Sequence, residues 1–225
     1  MDAALESSPS AASRGDEGRS VLVLACGALA GELLELRRAN GWDYMALRCL
    51  PAKLHNTPRR IPDLLRGILA EEGARGWGRI FIAYADCGMG AALEPVLKEY
   101  GVERLPGAHC YAFFRGVETF EDEHARDPTC FYLTDFLARH FDSLIWRGMG
   151  IAEHPELRDT YFGNYTRLVF LTQTADDALK ARAREAAARL GLEYEERHTG
   201  LGAFERVLAP HLSGMTAAEK VTADE

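Results

Sequence analysis

Residues 20–40 read SVLVLACGALAGELLELRRAN, and this stretch decides the fold. Ser20 to Cys26 is an apolar run of strand length, Cys-Gly closes it, and leucines at helical spacing then continue to a stop at Asn40-Gly41. A buried strand handing directly to a helix is the unit of a parallel sheet, whose strands lack the polar alternation of a half-exposed sheet. Residues 79–101, RIFIAYADCGMGAALEPVLKEYG, repeat the pattern: a strand over 79–87, two glycines, and a helix from Ala91.

Working outward, YMALRCL (44–50) reads as a strand, and residues 61–72 place Ile61, Leu64, Leu65, Ile68 and Leu69 on one helical face. ERLPGAHCYAFF (103–114) reads as a fourth strand or extended segment, and FYLTDFLARHFDSLIWR (131–147) as a helix. A strand over 167–174, a helix over 176–190, a strand over 192–199 and a closing helix near 202–211 complete the series. The alternation predicts an α/β fold, a mostly parallel Rossmann-like sheet with helices on both faces. The expected domain runs over 19–212, as one body or two sub-domains. Residues 1–18 and 213–225, rich in Ser, Ala, Asp and Glu, read as disordered tails. CGALAGEL and CGMGAALE share Cys-Gly at equal offset from a Leu and a Glu, as two duplicated βα units would.

Of 225 residues 47% are hydrophobic, which is ordinary for a globular chain. A net charge of −8 argues against nucleic acid, whose phosphates require clustered Lys and Arg. No apolar stretch has bilayer length and the N-terminus lacks the features of a leader, so the sequence predicts a cytoplasmic protein with no membrane partner. In that compartment five cysteines read as reduced thiols rather than a disulfide framework.

Cys49, inside a strand, and Cys130, ahead of the expected helix, read as packing residues. Cys26, Cys87 and Cys110 differ, because ACG, DCGMG and PGAHC each set a thiol in or beside a glycine turn. Ligands of parallel sheets bind beyond the carboxyl ends of the strands, where these turns fall. Three thiolates there suit a soft or borderline metal, with His109 as a further ligand, and helix N-termini behind Cys26 and Cys87 are expected to lower their pKa values. The candidates are a 4Fe-4S iron-sulfur cluster with one open iron, a zinc ion with an exchangeable position, and a metal-free nucleophilic cysteine.

Polar residues near these turns supply candidate chemistry. Asp86 adjoins Cys87 and either orients a ligand and carries a proton or serves the turn. In LHNTPRR, His55 is a candidate acid or base, and Asn56, Arg59 and Arg60 are candidate anion-binding groups at a helix start. The alternative is a solvated cap. Gln173 and Thr174 end one late strand and are read as substrate-binding residues, while His198, ending another, is the candidate proton carrier.

The ordered motifs ACGAL, LHNTP, YADCGMG, LPGAHCY, FYLTDFL and YFGNYTRLVFLTQT resemble those of an uncharacterised bacterial and archaeal family known only as a domain of unknown function. The resemblance spans residues 20–208 and implies that the family pattern includes Cys26, His55, Asn56, Cys87, His109 and Cys110. It departs at Met89, where a glycine is expected before Gly90. Members from anaerobes and methanogens that practise corrinoid-dependent methyl transfer imply a role near one-carbon metabolism.

These readings combine into an expected metal-dependent enzyme. Cys26, Cys87 and Cys110 would hold zinc or a 4Fe-4S cluster for non-redox elimination, desulfuration or group transfer on a small polar or anionic substrate. The alternative is a non-catalytic metal- or cofactor-binding partner of a corrinoid methyltransferase system.

Overall fold

The computed structural model describes residues 6–7 and 20–212 of the chain. The expected tails over 1–18 and 213–225 lie outside the described residues, except that β1 (Glu6–Ser7) pairs antiparallel with β3 (Met45–Leu50). The chain divides into two compact units, Met1–Cys110 with Glu205–Glu225, and Tyr111–Phe204.

In the first unit β2 (Val21–Cys26) is buried at every position, as its unbroken apolar run requires of a strand covered on both faces. It lies parallel to β3 on one side and to β4 (Arg79–Ala83) on the other, and β4 pairs parallel with β5 (Glu103–Arg104). The sheet order is therefore β1-β3-β2-β4-β5. Helix α1 (Ala30–Asn40) follows β2, and α2 (Ile61–Glu72) carries the chain from β3 back across to β4. The strand order reverses between β2 and β4. The carboxyl ends of the strands at such a reversal are the usual ligand position in a Rossmann-like sheet. Helix α3 (Glu94–Tyr100) links β4 to β5.

On α2 the buried face is Ile61, Pro62, Leu65, Leu69 and Glu72, whereas Leu64 is exposed, so the apolar stripe is narrower than its sequence suggests. Buried Glu72 accepts hydrogen bonds from the Arg48 guanidinium of β3 and from Trp77 Nε1.

The second unit has its own parallel sheet, β6 (Cys130–Thr134), β7 (Arg167–Thr172) and β8 (Glu193–His198), in sequential order with no reversal. Alternate residues sort onto its two faces. Leu133, Leu168 and Phe170 pack under α5 (Asp135–Phe141) and α7 (Asp177–Leu190), whereas Cys130, Tyr132, Val169 and Leu171 pack with Phe120 of α4 (Val117–Arg126). A short α6 (Leu157–Phe162) precedes β7. Helix α8 (Gly202–Leu212) begins in this unit and continues in the first.

The helix expected over 131–147 is corrected here. Residues 130–134 are a strand, and α5 begins only after Thr134, whose Oγ1 accepts from Leu137 N. Period-two burial of aromatic and aliphatic side chains on both sheet faces outweighs the helical spacing of the longer stretch. Cys130 accordingly opens a strand and does not precede a helix. The extended segment expected over 103–114 shrinks to β5, and residues 110–114 form a turn of 3₁₀-helix.

Candidate functional site

The site in the first unit is built by its two central strands. Cys26 is the last residue of β2 and sits beside Leu50 across the β2–β3 ladder. Gly27 follows because a Cβ there would stand 2.9 Å from the Leu50 carbonyl oxygen and 3.3 Å from Ala52 N. The glycine serves close backbone approach, leaving the thiol at the strand edge.

Beyond β4 the chain stays extended through buried Tyr84 and Ala85 and runs alongside residues 105–108. Leu105 N donates to Ile82 O (3.0 Å), Asp86 N to Gly107 O (2.9 Å) and Cys87 N to Ala108 O (2.8 Å). These three bonds continue the β4–β5 pairing and carry Cys110 to Cys87. The two Sγ atoms stand 3.0 Å apart, and both thiols are buried.

Cys87 has φ +46, the one positive φ among non-glycine residues described. A side chain in that region costs about 1 kcal/mol or more, so the surrounding bonds impose the conformation that faces Cys87 toward Cys110. Gly88 follows at φ +85. Met89 has φ −76, ordinary right-handed backbone, so the departure from the glycine pattern at this position adds no backbone strain of its own.

Charge within the cluster is unevenly distributed. The Cys110 thiol donates toward Cys87 and lowers its pKa, assisted by backbone N–H groups and opposed by burial. The same hydrogen bond, with burial and the neighbouring charge, holds Cys110 well above the ordinary thiol value. Cys87 is therefore the first of the pair to lose its proton, and Cys110 holds the second. Burial pushes Cys26 up to about 11, although the Ala28 backbone N–H and the Tyr84 hydroxyl favour its thiolate. The expected lowering by helix N-termini is therefore corrected. At Cys26 desolvation dominates, and behind Cys87 the helix α3 starts seven positions later, at Glu94.

Tyr84 is a member of this group that the sequence reading passed over. Its hydroxyl is buried beside the Cys26 sulfur, and burial, then the charges of Cys26 and Cys110, raise its pKa. The available signal was a tyrosine at the end of an apolar strand, since a buried phenol carries a polar handle that needs a partner.

The loop after β3 reaches the same turn. A Cβ on Gly88 would lie 3.3 Å from Pro58 Cγ, so LHNTPRR abuts the Cys87 turn. His55, Asn56, Arg59 and Arg60 are all exposed there, and surrounding protein lowers the His55 pKa by withholding solvent from the imidazolium. Arg59 and Arg60 lie in a 3₁₀ turn ahead of α2. Half-buried His109 directly precedes Cys110. Asp86 Oδ1 accepts from Gly88 N (3.0 Å), which is the turn-forming use of such a carboxylate. Cys49 is a buried strand residue whose pKa rises to about 12, through burial and then Cys26.

The late-strand residues belong to the second unit. Buried Gln173 uses its amide within the sheet edge, where Nε2 donates to Leu171 O and Thr199 Oγ1, and Oε1 accepts from Asp135 N. Thr174 donates through N (2.8 Å) and Oγ1 (2.6 Å) to Asp135 Oδ2. Asp135, which the helix expectation concealed, thus ties the ends of β6 and β7 together, and its Oδ1 is buried without a partner among the described residues. His198 ends β8 with its side chain exposed.

A family model covers residues 49–208, which take in His55, Asn56, Cys87, His109 and Cys110 and begin after Cys26. The chain belongs to the DUF1638 family. The family is described as Protein of unknown function (DUF1638). For this DUF1638 protein no curated protein and no solved structure gives a match. No helix among the described residues is long and apolar enough to cross a membrane.

Proposed function

We propose that this DUF1638 protein is a metal-dependent enzyme whose centre is the thiol cluster of the first unit, acting on a small polar or anionic substrate. The observation that carries the reading is the approach of Cys87 and Cys110 to 3.0 Å beside Cys26 and the buried Tyr84 hydroxyl. Three thiols and a tyrosine hydroxyl gathered at the carboxyl ends of the strands of a parallel sheet form a donor set where ligands of such sheets bind.

The donor set suits a soft or borderline ion. Two thiolates on one tetrahedral zinc stand about 3.7 Å apart at Zn–S distances near 2.3 Å, so the pair opens by roughly 0.7 Å to share an ion. A 4Fe-4S cluster places each thiolate on a different iron and needs a wider separation, which makes zinc the better fit of the two. Cys87, Cys110 and Cys26 would hold the ion, which would supply a Lewis acid at its exchangeable position. The chain's own residues do the rest. Tyr84 presents a hydroxyl proton to a thiolate sulfur, His55 holds or releases a proton at the exposed side of the turn, and Asn56, Arg59 and Arg60 offer donors to an anion.

One observation favours a second, metal-free reading in which Cys87 is a nucleophile. Among the described residues, no group of three or more His, Cys, Asp or Glu stands in a metal-holding arrangement. Metal analysis of the anoxically purified protein separates the readings. Bound metal near one equivalent, lost in Cys26→Ser, Cys87→Ser and Cys110→Ser and kept in Cys49→Ser and Cys130→Ser, is the expected result. Metal-free protein in which Cys87 alone reacts rapidly with iodoacetamide would replace the first reading by the second.

A further inference from the structure

The geometry points to a second activity at the same cluster: Cys87 and Cys110 form a reversible dithiol–disulfide couple that exchanges with low-molecular-weight disulfides such as glutathione disulfide, and closing it empties the metal centre. This inference rests on the thiol-centre reading given above and adds a redox partner class to it.

Three features carry it. The sulfurs stand 3.0 Å apart in their hydrogen bond, about 1 Å from bonding distance. Their backbones are held together by the Asp86–Gly107 and Cys87–Ala108 hydrogen bonds, which keep the two sulfurs in contact. The residue carrying one sulfur is held at φ +46, a conformation that the turn imposes and that faces the thiol toward its partner. Cys49, buried in β3, and Cys130, which donates to Asp127 Oδ2 at 3.2 Å, make no such contact with another sulfur.

The exchange balances as follows. A thiolate of the pair attacks one sulfur of the external disulfide, the S–S bond breaks, and the first small thiolate leaves. The other cysteine, losing its proton, attacks the mixed disulfide and expels the second small thiolate. The protein loses two protons and two electrons, and the external disulfide is reduced to two thiols. Two of the three proposed metal ligands are consumed, so metal binding and oxidation exclude one another.

The test uses the full chain in two forms, as purified without oxygen and after chelator treatment, each equilibrated with glutathione disulfide and then alkylated. In chelator-treated protein two of the five thiols should escape alkylation, with a mass decrease of about 2 Da measured before the alkylation step and a Cys87–Cys110 cross-linked peptide. Cys87→Ser and Cys110→Ser should each stop at a glutathione adduct on the remaining cysteine, which also covers the case in which one variant folds poorly. In metal-loaded protein, oxidation should release the metal in step with thiol loss. Five alkylatable thiols after treatment of the chelated form, or a cross-link joining any other pair, overturns the exchange while leaving the metal reading intact. Disulfide formation in a protein that never contained metal supports the exchange and removes the metal centre.

Discussion

Pro58 packs against Gly88: a Cβ built on that glycine would stand 3.3 Å from Pro58 Cγ. The contact joins the loop after β3 to the turn after β4, and so places the LHNTPRR residues at the thiol cluster. Two sequence motifs separated by about thirty positions thereby become one site, because the two strands flank β2.

Gly88→Ala tests that joint. At φ +85 an alanine is strained by about 1 to 2 kcal/mol, and its methyl presses on Pro58. The denaturant midpoint should fall accordingly, and Gly67→Ala, on the exposed side of α2 with open space around it, should not lower it. Equal midpoints for Gly88→Ala and the parent protein would show that the turn relaxes without cost.

Thr134→Ala tests the strand-to-helix boundary that the sequence reading misplaced. Loss of the Oγ1 acceptor for Leu137 N should cost about 1 kcal/mol, and Thr134→Ser should restore most of it. If serine and alanine were equally destabilising, the γ-methyl rather than the cap would explain the residue.

The boundary shows what was legible and what was not. β2, β3, β7, α2 and α7 follow from local pattern alone, since short, mostly apolar runs, or leucines and alanines at helical spacing ending at Gly191, permit few alternatives. FYLTDFLARHF supports either period over its first residues, and only the pairing of Phe131 with Leu168 and of Leu133 with Phe170 selects the strand. α4, whose buried residue is Phe120 amid six charged or ionisable positions, gives almost no local signal. At the candidate site, the glycine turns singled out Cys26, Cys87 and Cys110. The 3.0 Å sulfur contact and the Tyr84 hydroxyl depend on the pairing of residues 84–87 with 105–108, which no spacing encodes.

Cys130 sets a pH dependence. Burial, then the hydrogen bond to Asp127 and its charge, push this thiol from 9.0 up to about 11. A raised folded-state value favours the protonated form, so the contribution to stability is complete below the unfolded value of about 9 and is lost as pH rises through about 11. Urea midpoints should therefore fall across that window, and Cys130→Ala should flatten part of the fall. A parallel curve for the variant would mean that other groups account for it all.

Asp135 supplies the last test, because its two oxygens are used so differently. Oδ2 accepts from both Thr174 N and Thr174 Oγ1, while Oδ1 is buried with no partner among the described residues. Asp135→Ala removes the acceptor, strands the Thr174 N–H at the joint of β6 and β7, and should cost about 1 to 3 kcal/mol. Asp135→Asn keeps an acceptor for Thr174 and relieves a buried charge, so it should lie within about 0.5 kcal/mol of the parent or above it. Thermal or urea unfolding of the two variants gives the comparison. Asparagine as damaging as alanine would show that the negative charge itself is required at Oδ1, and the cross-strand bonds would then be its supports rather than its purpose.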